Sequence, residues 1–191
     1  MRDAILTAGE LRYGKKYTDL IWGAFAERGF GASASTVDGT DTDPVPGFDV
    51  KDNKQNGRVT LKVVNASAGG PVKDVRVLGG LFEGRATPIT TTNAKGVATA
   101  RMAGGTYTLT LQAPGFGIQR IKVPVAKGRS VARTIKLRPN LLSESSGAKV
   151  VSTSSESDAL PATNAFDDTE ATAWRTEEVD AVYNEGKPAT T

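Results

Sequence analysis

Between residues 58 and 138 the chain alternates apolar and polar side chains in short runs cut by turns, and no other feature restricts its fold as strongly. "RVTLKVV" sets Val59, Leu61 and Val63 against Arg58, Thr60 and Lys62, the period of a strand with one face buried. "VKDVRVL" repeats it through Val75 and Val77, "VATARM" follows a turn at Asn93 to Gly96, and "TYTLTLQA" places Tyr107, Leu109 and Leu111 on one face. Ile121 and Val123, then Val131, Ile135 and Leu137, complete the series. "AGGP", Gly104–Gly105 and "PGFG" supply turns between the runs. About seven short strands at this spacing predict an antiparallel two-sheet sandwich. The expected fold class is therefore mainly β.

The first 35 residues keep a different rhythm. In "RDAILTAGELRY", Ala4, Ile5, Ala8 and Leu11 recur at helical spacing and share one face. Gly14 interrupts the pattern, and Thr18 or Asp19 can cap a second helix. That helix carries an apolar stripe of Leu20, Ile21, Ala24 and Phe25, widened by Trp22, with Gly29 as its natural terminator. Two short helices cannot bury these side chains between themselves, because isolated helices of this length are marginal in water. They must pack against something else.

Residues 36–57, "TVDGTDTDPVPGFDVKDNKQNG", show no periodicity and read as a linker or an ordered surface loop. Within them Asp38, Asp41 and Asp43 are spaced like the oxygen ligands of a calcium loop, without the distal glutamate of an EF-hand. Residues 139–191 are polar and Ser/Thr-rich, yet contain Val150, Val151, Phe166 and Trp174. Charge follows the same divisions. Residues 1–57 carry 7 basic and 9 acidic side chains, residues 58–138 carry 14 and 2, and residues 139–191 carry 3 and 10. The expected units are a helical segment (1–35), a linker (36–57), a β-sandwich (58–138) and a short tail (139–191).

The chain contains no histidine and no cysteine. Zinc catalysis ordinarily needs an imidazole ligand, and the Ser-His-Asp and Cys-His devices need an imidazole base. Most hydrolytic chemistry is closed to this polypeptide acting alone. No apolar run approaches the roughly 18 residues of a membrane helix, and the first residues lack the layout of a secretory signal. The basic centre could attract nucleic acid. Its charges, however, are spread over alternate strand positions without aromatic interleaving, so no nucleic-acid partner is expected.

Three stretches resemble known families. "RDAILTAGELRYGKKYTDLIWGAFAERGFGASAS" resembles the carboxy-terminal end of the fungalysin family of secreted zinc metallopeptidases, where an "ARDAI" helix and an "IWxAFAxRG" helix close a helical lobe. That family's chemistry rests on an HExxH helix and a downstream glutamate. None of that family's zinc-ligand positions can be carried over here, and Glu10 and Glu27 read as helix-surface charges. "TTTNAKGVATARMAGGTYTLTLQAPGF" resembles the carboxypeptidase regulatory-like (transthyretin-like) sandwich, with Thr92, Gly96, Gly105, Tyr107, Leu109, Gly115 and Phe116 at the matching positions. Asn93 stands where that family often has aspartate. The resemblance implies an accessory or docking module with structural signature residues.

"GAKVVSTSS" followed by "NAFDDTEATAW" resembles the opening of a discoidin-type (galactose-binding-like) domain, which implies an incomplete, jelly-roll-like β tail. Residues 179–191 would supply one further strand. The resemblance places a candidate structural calcium at Asp167, Thr169 and Thr172, with Trp174 packed inside. Asp168 replaces the family's usual glycine and Thr169 its usual second acid.

Together these readings imply the carboxy-terminal accessory portion of a secreted, multidomain zinc metalloendopeptidase. The chain itself would have no catalytic residue and no cofactor beyond that calcium. Zinc would belong to a missing upstream catalytic domain, the principal partner, and the parent would be extracellular. The β modules would attach to polysaccharide or to an extracellular protein substrate. The alternative is a non-catalytic extracellular protein that binds carbohydrate or cell-wall material through exposed aromatics; only Trp174, Tyr183 and Phe116 are available for that, and they read more simply as core or turn residues.

Overall fold

Alternation works as the sequence predicts in β1 (Asn56–Asn65), whose Val59, Leu61 and Val63 are buried while Arg58 and Lys62 face solvent. The computed structural model describes residues 1–81 and 87–177, so the strand expected from residues 179–191 lies outside the described residues, as does Tyr183. Six more strands follow: β2 (Arg76–Gly79), β3 (Thr90–Thr91), β4 (Val97–Ala103), β5 (Gly105–Gln112), β6 (Gln119–Val125) and β7 (Ser130–Leu137). They form two sheets, ordered β4-β1-β7 and β3-β2-β5-β6. The protein is mainly β, with its core between the two sheets. Leu61, Leu78, Met102, Leu109, Leu111 and Leu137 are its largest fully buried side chains.

The sandwich is not wholly antiparallel, contrary to the expectation from sequence. β7 runs parallel to β1, in register from Arg58 opposite Ser130 to Asn65 opposite Leu137. The connection after β6 passes from one sheet to the other and is tied to the beginning of β1. There the Gly128 N–H donates to the Asn56 carbonyl (3.2 Å) and the Arg58 N–H to the Arg129 carbonyl (2.9 Å). β7 therefore starts where β1 starts and must run the same way. Alternation fixes which face a side chain takes but says nothing of strand direction.

The outer face of β5 is covered as well. Thr110 and Gln112 are buried there; the Thr110 hydroxyl donates to the Gly80 carbonyl and the Gln112 amide to the Asp168 carbonyl. The tail thus contributes to the sandwich. Among its described residues it forms no strand, only 3-10 turns at Glu144–Ser146 and Ala162–Ala165 and isolated bridges from Pro139 to Phe116 and from Ser157 to Leu160. Its apolar side chains are too few and too scattered for a sheet face of their own. Val151 and Trp174, which was expected inside, are exposed, the latter by 48%.

At the amino end, α1 (Arg2–Tyr13) and α2 (Thr18–Ala26) are joined by a 3-10 turn, Gly14–Tyr17. Gly14, at φ +60, ends α1. No side chain caps α2: Thr18 is its first residue, and Tyr17 takes the cap position. The pair docks through Ala26, which packs with Val50, Ala103 and Trp22. Arg2 reaches the Phe30 and Gly31 carbonyls and lies over the Trp22 ring at 5.2 Å. Residues 44–48 bind the two parts together: Gly47 bridges to Phe30, Val45 to Ser35, and Phe48 to Met102 in β4. Phe48 and Val50, inside a stretch with the composition of a linker, are buried.

Candidate functional site

The signature stretch at 92–116 is built for shape. Thr92 is buried; its hydroxyl donates to the Val72 carbonyl (2.8 Å) and accepts from the Val75 N–H (2.9 Å), pinning β2 beside the β3–β4 turn. Asn93 accepts from the Lys95 and Val97 N–H groups. Gly96, at φ +70, lies so close to the Val63 carbonyl that no Cβ would fit. Tyr107 packs edge-on against Phe48 with ring centroids 5.7 Å apart. Burial, and then the Glu27 charge, push its phenol up to about 12, so it stays protonated.

The acidic loop at 36–43 satisfies its carboxylates locally. Asp38 accepts from the Thr40 hydroxyl (2.7 Å) and N–H (2.8 Å). Asp41 accepts from the Val37 N–H (2.8 Å), the Thr36 hydroxyl (3.0 Å) and the Asp43 N–H (3.1 Å). These donors hold both carboxyls below the usual aspartate value, Thr40 being the main cause for Asp38 and the Val37 N–H for Asp41. Carboxylates closing short turns on their own backbone are turn chemistry. Among the described residues, no group of three or more acidic side chains is placed to hold a metal ion.

The same test applies to the loop at 167–172. Asp167 accepts from the Thr172 hydroxyl and, at 3.1 Å, from the Thr169 N–H. The Thr169 hydroxyl accepts from the Ala171 N–H (3.0 Å). The loop thus brings Asp167, Thr169 and Thr172 together, but with one carboxylate among them. Calcium takes six to eight oxygen ligands, and this donor set does not fit it. Millimolar calcium should leave the melting temperature unchanged to within about 1 °C. A rise of several degrees would show that the loop rearranges around the ion.

Asp168 does more than the residues singled out from the sequence. Its backbone is left-handed, φ +62, in the slot where the resembled family keeps glycine. That conformation turns its carboxylate out of the loop and onto the sandwich. There it accepts from the Gly115 N–H (2.8 Å), the Asn140 amide (3.1 Å) and the Ser143 hydroxyl. Burial raises its pKa, but the Gly115, Ser143 and Asn140 donors together outweigh that and hold it below 3.8. Arg120 and Glu170 add an ion pair beside it. A non-glycine residue in a glycine slot is the one available sequence signal of this clasp.

An open cleft of about 720 Å³ lies between the end of α2 and residues 44–48. Phe25, Phe30, Val45, Pro46 and Phe48 line it, with Arg28 at its edge. It has room for an apolar guest, and the carboxylate in its lining, Asp3, is already paired with Arg2 at 2.8 Å. On α1 the stripe expected to be buried faces outward, whereas on α2 it does so only in part, with Ile21, Trp22 and Phe25 half-buried. Ala4, Ile5, Ala8 and Leu11 of α1 are exposed, as are Leu20 and Ala24 of α2, while Leu6 and Ala26 face the protein. Leu11 is 84% and Leu20 71% exposed.

Residues 1–34 match the family model of Fungalysin metallopeptidase (M36). The matched stretch comprises both helices and the turn beyond them, and it stops one residue before the bridge from Ser35 to Val45. No curated protein matches the chain. Similar solved structures include the Bacillus anthracis TIE protein, with 17% identity, TM-score 0.38, and coverage of 50% of this chain and 18% of that one. The minor pilin of Streptococcus agalactiae has 20% identity and TM-score 0.37, over 52% of this chain and 49% of its own. Klebsiella pneumoniae 5-hydroxyisourate hydrolase has 22% identity and TM-score 0.31, over 44% of this chain and 91% of its own. The chain spans less than half the length of the first two.

Proposed function

We propose that this chain is the carboxy-terminal accessory portion of a secreted, multidomain zinc metalloendopeptidase of the fungalysin kind, its β modules serving attachment to substrate or surface. The observation that carries the reading is the family match over residues 1–34. The helices add physical support. Their exposed apolar stripes, through Leu11 and Leu20, suit elements that close a larger helical body. Zinc and the residues that hold it would lie upstream, since this chain has no histidine to offer. The sandwich and tail, fastened to the helices by Phe48 and to each other by Asp168, would hold the attachment surface at a fixed place beside the catalytic body.

Two measurements test this. Purified chain should show no chelator-sensitive peptide cleavage, and such cleavage by a clean preparation would contradict it. An antibody against the sandwich should precipitate from the culture medium a polypeptide well above the chain's 20.0 kDa. Its tryptic peptides should include both this sequence and an HExxH segment. Recovery of only a 20.0 kDa species would sink the proposal.

A further inference from the structure

The outer face of the β4-β1-β7 sheet carries charge that nothing among the described residues neutralises. On β1 the outward residues are Arg58, Thr60 and Lys62. Register places Arg101 of β4 directly opposite Arg58, and Thr99 opposite Thr60. On the other side Lys136 of β7 stands beside Val64. All four cations are exposed, and among the described residues none has a carboxylate within ion-pair distance. Like charges directly opposite one another destabilise a strand pair. Holding Arg58 against Arg101 is therefore a cost to the fold, and one that a bound anion would relieve. The acidic tail does not do this, since its described contacts through Asp168 and Glu170 are with β5, β6 and the loops beside them.

We propose that this face binds an acidic polysaccharide. Along the strand axis the cations fall at Arg58 with Arg101, at Lys62 about 13 Å further on, and at Lys136 after about 20 Å. Gaps of about 13 Å and then about 7 Å suit a linear polymer whose charges are spaced more closely than the cations. Thr60 and Thr99 lie between the cations and can both donate to and accept from sugar hydroxyls. Nucleic acid fits the face poorly. The major groove admits a helix or a two-stranded ribbon, not a flat three-stranded sheet, and single strands are held by stacking on aromatic side chains. The outward positions of the three strands include no aromatic residue. The inference is independent of the peptidase reading, because it uses only the sandwich.

The test uses the full chain and immobilised polygalacturonate, with heparin as a sulfated arm and dextran as a neutral one. Retention on either acidic polymer and none on dextran is expected, and the tighter arm identifies carboxylate or sulfate as the preferred group. Arg58→Ser with Arg101→Ser should weaken binding about tenfold. Lys122→Ser with Lys149→Ser, one on β6 of the other sheet and one in the tail, both exposed, removes the same charge away from this face and should change binding less than about twofold. Lys62→Ser with Lys136→Ser provides a second loss-of-binding variant should the first pair misfold. Equal weakening by the control pair would reduce the effect to net charge and overturn the proposal. Tighter binding to duplex DNA at the same salt would also overturn it, as would a reversible dimer abolished by the Arg58/Arg101 variant.

Discussion

Phe48→Ala should destabilise the protein by about 3–5 kcal/mol and lower its melting temperature by more than about 10 °C. Phe48 is buried between the sheets, meets Tyr107 edge-on, and covers Gly79 so closely that a Cβ there would collide with its ring. Its carbonyl also accepts from the Ala103 N–H at 2.6 Å, joining residues 44–48 to the end of β4. Truncation would leave a cavity in the core and loosen the stretch leading from the helices to β1. Val37→Ala, in the same segment at a 90% exposed position, should change stability by no more than about 0.5 kcal/mol. A double-mutant cycle isolates the contact. Gly79→Ala alone should cost about 1–3 kcal/mol by overpacking, and much less once Phe48→Ala has opened the space. Equal small effects of Phe48→Ala and Val37→Ala on thermal unfolding would mean that the segment is a tether and not part of the core.

Asp168→Ala should release the tail from the sandwich, at a cost of about 2–3 kcal/mol of docking free energy. Hydrogen bonds to a charged group contribute about 1.5–3 kcal/mol, and three donors share this partly exposed carboxylate. Limited proteolysis within 139–177 should accelerate on the order of tenfold to a hundredfold, while the sandwich stays protected. Asp168→Asn keeps a residue that tolerates left-handed backbone but replaces one acceptor with a donor, and should release the tail nearly as well. Acid should act as the substitutions do. A carboxyl whose pKa is lowered on docking stabilises the docked form at pH above its free value of 3.8. That contribution is lost as pH falls through the lowered pKa. The sandwich, with two acidic side chains in residues 58–138, has little else to titrate there. Its strands should survive an acid titration that frees the tail. Unchanged cleavage kinetics in both variants would remove Asp168 from the account.

Period-2 alternation alone makes Val59, Leu61, Val63, Tyr107, Leu109 and Leu111 legible as core, because side-chain burial in a strand is a local matter. The parallel pairing of β1 with β7 is not legible in that way. It depends on where the turn after β6 crosses between sheets, and hydrogen bonds from Gly128 and to Arg129 decide that. Phe48 gives no signal of its burial, since "PVPGFDV" has no period. Helical spacing does reveal the stripe of Ala4, Ile5, Ala8 and Leu11. It cannot reveal that Leu6 and Ala26 are the buried positions and that the α1 stripe is left outside, because that choice belongs to the packing partners. Asp167, Thr169 and Thr172 do converge in one loop. The strongest tie in that loop is nonetheless Asp168, whose role follows from a left-handed backbone and partners on distant segments.

If the proposed function is right, the helices at the start of this chain close a metallopeptidase lobe encoded just ahead of them. Reading the genomic DNA upstream of the Met1 codon tests it most directly. An uninterrupted frame encoding HExxH and a following glutamate ligand is the predicted result. A stop codon immediately upstream, together with transcripts that begin at Met1, would contradict it.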